Sequence, residues 1–172
     1  MRAEPFALFI GIAYASLGLL GLLPAAVVPP PADAPPVQLA VRYGYLFDAM
    51  PVNVLLSAVH IALGTWGIAA WRRLTSPMTF ARGLALIGIV LAVLGLVPAA
   101  NTLFGWMPLW GNDIWLHAGT AAVAAYFVFH PALAVDHRAS LRSDRRQKSV
   151  PVAEERRHGH ADRRLPSSGE ET

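Results

Sequence analysis

Four stretches of this chain are almost unbroken apolar runs, and its polar residues collect between them. The runs cover Pro5 to about Val28, about Met50 to Trp71, about Phe80 to Ala100, and about Asp113 to Val135. A helix rises about 1.5 Å per residue, so about 20 apolar residues cross a hydrocarbon layer about 30 Å thick. Lys and Arg, which cost about 2.5–3.5 kcal/mol at the centre of an inserted helix, are absent from the interiors of these runs. The pattern predicts an all-α fold, an integral membrane four-helix bundle. Pro5 and Pro51 suit opening helical turns, and Asn112 or Asp113 suits the N-cap of the fourth helix. The first run is longer than the apolar segment of about 7–15 residues in a cleaved signal peptide. Prolines also follow its small-residue site Ala32-Asp33-Ala34, so a retained helix is expected.

Short strings recur in the same order along the chain. LLGLLPAA (Leu19–Ala26) matches VLGLVPAA (Val93–Ala100), and LFDAMP (Leu46–Pro51) matches LFGWMP (Leu103–Pro108). Nine residues after each of the prolines Pro51 and Pro108 stands a histidine, His60 and His117. The copies are offset by 74 positions in the first pair and 57 in the second, and the difference lies in a longer first loop. Two tandem helical hairpins, parallel about an axis along the membrane normal, are the expected architecture. Gly11, Gly18 and Gly21 then correspond to Ala85, Ala92 and Gly95. With Gly88, the last three form a stripe of small residues suited to close helix approach.

Charge orients the bundle. Arg2, Arg72, Arg73, Arg82 and the basic C-terminal tail fall on one side and Arg42 alone on the other, so both termini are expected in the cytoplasm. The loops Pro29–Ala49 and Asn101–Asn112 then face outward, the first with an extended VPPPADAPP segment. Tyr43, Tyr45 and Phe47, and Trp106, Trp110 and Trp115, suit the lipid–water interface.

Composition narrows the class. The chain is 55% hydrophobic and 15% charged, against roughly 25% charged in soluble domains. It has no cysteine, which excludes disulfides, iron–sulfur clusters, thiolate metal sites and c-type haem attachment. The net charge of +3 sits in one loop and the tail, which fits a membrane surface, so no nucleic-acid partner is expected. Residues 1–135 are read as the transmembrane domain. Residues 136–172 are polar, mixed in charge and without apolar period, a tail expected to be disordered. Within it Arg138, Arg142, Arg145, Arg146 and Lys148 can draw anionic lipid heads at about 1 kcal/mol each. His158-Gly159-His160 is too short to argue for a metal, and no metal site is expected from spacing.

Four polar residues within or at the ends of the runs are candidate ligand or cofactor positions: Asn53, His60, Asp113 and His117. Asn53, His60, Gly64, Gly67 and Trp71 share one helical face, and His117, Ala121 and Ala124 continue that pattern in the fourth run. Ionisable groups in a membrane face the bundle interior or a wet cavity. Three readings are open for the histidines. They pin neighbouring helices by hydrogen bonds, they form a proton or small-ligand site with Asp113 at i, i+4 from His117, or they ligate a b-type haem.

The helix carrying Asn53, His60 and Gly64, and the later Leu103-Phe104-Gly105, Pro108-Leu109, Gly111, Asp113 and Trp115-Leu116-His117, together resemble the bacterial membrane proteins grouped as domain of unknown function 4383. The resemblance covers about residues 5–135. It implies a small four-span membrane protein and supplies no activity. The expected function is a structural, interaction or accessory component of the bacterial plasma membrane, more a non-enzyme than an enzyme, with lipid and a homo-oligomer or membrane-protein partner around it. The alternative is a redox or proton-handling protein that uses His60 and His117.

Overall fold

The computed structural model describes residues 3–130. Helix α1 (Ala3–Leu22) leads through a short 3-10 turn (Pro24–Ala26) into β1 (Val27–Val28), β2 (Gly44–Leu46) and β3 (Met50–Val52). Helices α2 (Val54–Trp71), α3 (Pro77–Leu96) and α4 (Asn112–Phe129) follow. The protein is mostly helical, and α2, α3 and Glu4–Leu22 of α1 are long and apolar enough to cross a membrane. α4 is as long as α2 but opens with Asn112, Asp113 and His117, which lower its apolar character. The expected end of the fourth run at Val135, the tail's disorder and its lipid-binding basic residues lie outside the described residues.

The apolar runs overestimate the helices at their loop ends. Pro24 disfavours helical backbone at the residue before it, so α1 stops at Leu22 and Val27–Val28 becomes a strand instead. Pro51 does not open a helix. It sits in β3 opposite Tyr45 in an antiparallel three-stranded sheet ordered β1-β2-β3. Asn53 is the N-cap of α2, its side-chain oxygen accepting from the Leu56 N–H. A side-chain cap satisfies a backbone donor that Pro51 could only omit. At α4 neither Asn112 nor Asp113 is the cap. Gly111 takes that place with φ 65°, and the Asn112 amide donates to the Ala49 carbonyl.

α1 packs along α2, and α3 along α4. The approach is backbone to backbone at the glycines. A Cβ on Gly11 would stand 2.7 Å from the Ile68 nitrogen, and one on Gly88 would stand 2.8 Å from the His117 carbonyl oxygen. Lipid supplies no hydrophobic drive between helices, so small residues that allow such contact carry the association. All four helices contribute to one core, with Phe6, Ala7 and Tyr14 of α1, Leu63 of α2, Phe80 and Leu84 of α3, and Ala124 and Phe127 of α4. The shared face expected of α2 is buried from Asn53 to Gly67, but Trp71 leaves it and is 40% exposed.

At the loop-rich end the two long connections are tied together. The backbone N–H groups of Gln38 and Leu39 both donate to the Gly105 carbonyl, at 2.8 and 3.2 Å. Trp110 Nε1 donates to the Tyr45 hydroxyl at 3.0 Å. Trp106 and Trp115 stay exposed beside this seam, at 54% and 74%.

Replacing Gly88 by Leu is expected to destabilise the protein by about 1–3 kcal/mol or more, the cost of overpacking a tight contact. Gly119→Leu, where a Cβ meets nothing within 4 Å, is expected to leave the melting temperature in mild detergent nearly unchanged. Equal effects at the two positions would contradict the packing described.

Candidate functional site

Three of the four sequence-derived candidates meet inside the helices. His60 lies in α2, and Asp113 and His117 in α4, all fully buried. The positions follow from helix geometry. His60 and His117 stand roughly 9 Å and 7.5 Å from the loop-rich starts of their helices at 1.5 Å per residue, so both imidazoles reach the same depth. Asp113 lies one turn before His117, on the same face. His117 Nε2 is 3.3 Å from Asp113 Oδ2, and His60 Nε2 is 3.9 Å from Asp113 Oδ1. The ligand atoms of the three residues all lie within 4.8 Å of one another. Asp113 sits in the first turn of α4, where the positive end of the helix dipole favours a carboxylate.

The fourth candidate, Asn53, is elsewhere engaged. Its oxygen caps α2, and its amide donates to the carbonyls of Leu39 at 3.1 Å and Trp106 at 2.8 Å. It thereby joins both long loops to the start of α2, and the structure does not bring it to the histidines.

Two residues not singled out from sequence complete the cluster. The Tyr14 hydroxyl of α1 lies 2.8 Å from Thr120 Oγ1 and 3.4 Å from His117 Nδ1. Its ring also packs edge-on against His60, with centroids 5.3 Å apart. The signals were a phenol midway along an apolar run and a hydroxyl three residues after His117. Neither is ionised at neutral pH, so neither stands out beside histidine and aspartate.

The hydrogen bonds fix the proton positions. Thr120 has one hydroxyl proton, and it goes to the Leu116 carbonyl at 2.7 Å, since a carbonyl can only accept. Tyr14 must then donate to Thr120. The Tyr14 oxygen is left to accept from His117 Nδ1–H, so the neutral His117 ring presents a lone pair at Nε2. That lone pair faces a carboxylate oxygen 3.3 Å away. Among the described residues, His60 Nδ1 and Nε2, both Asp113 oxygens, His117 Nε2 and the Ser57 hydroxyl are buried without a hydrogen-bond partner. Buried polar atoms are nearly always paired, and each orphan costs about 1–3 kcal/mol. A buried carboxylate flanked by the unpartnered Nε2 atoms of two histidines is arranged to receive a positive ion.

A haem fits this arrangement poorly. The two ring centroids are 5.7 Å apart, and Asp113 occupies the space to which both Nε2 atoms are directed, where a porphyrin would have to lie.

Asn53→Ala would leave Leu56 N, Leu39 O and Trp106 O without their present partner. A loss of about 1–3 kcal/mol is expected, read as a lower melting temperature. Asn53→Asp should recover the cap and not the two loop contacts, and so fall between.

No curated protein and no solved structure matches the chain. Residues 5–130, which hold Tyr14, His60, Asp113, His117 and Thr120, match the family model described as Domain of unknown function (DUF4383), and the chain belongs to that family.

Proposed function

We propose that the protein is a four-span protein of the plasma membrane, built from two tandem hairpins with both termini in the cytoplasm, and that its working part is a buried cation centre formed by His60, Asp113 and His117. The observation that carries the reading is the convergence of donor atoms from these three residues within 4.8 Å of one another, none of them with a hydrogen-bond partner. A packing role calls for each polar group to be paired with a neighbouring helix. Here Asp113 and His117 Nε2 instead face each other as like-polarity acceptors, which only a proton or a metal ion between them makes favourable.

Equivalent contacts support the tandem hairpins. Gly21 of α1 abuts Ser57 and Val52, and Gly95 of α3 abuts Ile114 and Leu109, the residues offset by 57 positions from Ser57 and Val52. Phe47 and Phe104 both adopt positive φ, 49° and 57°, as do Asp48 and Gly105 after them. Positive φ is costly for a large side chain, and its recurrence at matched positions supports a common ancestor for the two halves. The distribution of Arg residues supports the orientation.

Replacing the centre by apolar side chains tests whether it serves packing. A chain carrying His60→Leu, Asp113→Leu and His117→Leu is expected to melt at or above the temperature of the chelator-stripped wild type, because apolar contacts replace orphaned polar atoms. A large fall in melting temperature would make these residues structural and sink the reading. For topology, a reporter inserted between Arg73 and Ser76 is expected to report the cytoplasm, and one inserted near Asp33 the opposite side. The reverse pair of signals would overturn the orientation.

A further inference from the structure

We infer that the centre binds one divalent transition-metal ion, with His60 Nε2, His117 Nε2 and the Asp113 carboxylate as its ligands. The inference rests on the cation-centre reading above and names the cation. The donor spacings carry it. Metal–ligand bonds of about 2.1 Å at tetrahedral angles separate neighbouring ligand atoms by about 3.4 Å, and His117 Nε2 stands 3.3 Å from Asp113 Oδ2 while His60 Nε2 stands 3.9 Å from Asp113 Oδ1. All three donors already lie within 4.8 Å of one another, so small side-chain shifts bring them under the limit of about 4.2 Å that two bonds of about 2.1 Å to one ion allow.

The chemistry of the donors selects the ion. Two imidazoles and one carboxylate suit zinc, iron, nickel or copper, whereas magnesium and calcium require mostly oxygen ligands. Three protein ligands leave a position open for water or a small ligand, as in catalytic rather than structural zinc sites.

Tyr14 and Thr120 are positioning residues. A metal-ligating histidine donates its second N–H to a neighbour that fixes its tautomer and ring orientation. The Leu116 carbonyl, Thr120, Tyr14 and His117 Nδ1 form such a chain, and it turns the Nε2 lone pair toward Asp113. The ligands come from α2 and α4, and the orienting hydroxyl from α1, so an ion here also ties three helices together.

The test uses the full chain in mild detergent, stripped with chelator and titrated with Co²⁺ and Zn²⁺. Visible Co²⁺ absorption, metal analysis and the melting temperature are recorded. One equivalent per chain, a ligand-field spectrum of low coordination number and a rise in melting temperature with Zn²⁺ are expected, with no competition from Mg²⁺. Asp113→Asn and His117→Gln should each weaken binding at least about 10-fold, and Tyr14→Phe about 10–100-fold, with a shifted Co²⁺ spectrum in Tyr14→Phe. Two results would overturn the inference. One is a cooperatively melting wild type that takes up neither ion. The other is undiminished uptake by the chain with all three ligands changed to Leu, which would place the metal elsewhere, for example at His158 and His160. If that variant is stable and the wild type binds no metal, the cation-centre reading survives with a proton and the metal alone is rejected. A collapse of the variant's stability rejects the reading beneath it.

Discussion

Inside hydrocarbon no water is available to complete a hydrogen bond, so each polar group must find its partner within the protein. That constraint shapes most of this molecule. It makes the long apolar segments helical, since a helix satisfies its own backbone. It also explains why non-helical backbone lies between the helices, most of it at the end where β1, β2 and β3 pair with one another and Gly105 accepts from both Gln38 and Leu39. Asn53 is the most heavily used residue of this seam, with its oxygen on α2 and its two amide protons on the two long loops. Against that background the unpartnered atoms of His60, Asp113 and His117 are an exception in the interior of the fold, and they belong to the groups costliest to leave unpaired.

The glycines connect this constraint to the centre. Gly88 allows the α3 backbone to touch the His117 carbonyl, and Gly64 and Gly67 bring α2 against α1 near Ala15 and Ala7. Close contact on each side leaves His60 and His117 no solvent and little freedom, and it places Tyr14 of α1 within reach of both rings. Positioning of this kind on helices is stiffer than on loops. The packing and the polar cluster are thus one design, in which small residues set the spacing and the large core residues Phe80, Leu84 and Phe127 fill what remains.

Much of the fold was legible in the chain. The apolar runs located all four helices, and the small-residue stripe Ala85, Gly88, Ala92 and Gly95 marked a face of α3, three of whose four members are buried. The helix ends were less legible. Val27–Val28 and Met50–Val52 are as apolar as the helices beside them, so hydropathy alone assigned them to spans. Their strand conformation depends on pairing with Gly44–Leu46, which is distant along the chain from Val27–Val28 and a tight hairpin partner of Met50–Val52. Asn112 has the side chain of a cap, but the Ala49 carbonyl claimed its amide and Gly111 took the cap position.

By itself the sequence pointed to a helical membrane protein, because apolar length and the scarcity of Lys and Arg within the runs, with Arg82 near the start of α3 the exception, are local properties that a bilayer reads directly. It also marked His60, Asp113 and His117 as expensive residues in apolar surroundings. Only the tertiary structure decided that these three converge while Asn53 does not, and that Tyr14 and Thr120 set the His117 tautomer. Depth along a helix follows from counting residues. Which faces meet follows from where the backbones can approach, and that is fixed by the glycine contacts among α1, α2, α3 and α4 rather than by any one stretch of chain.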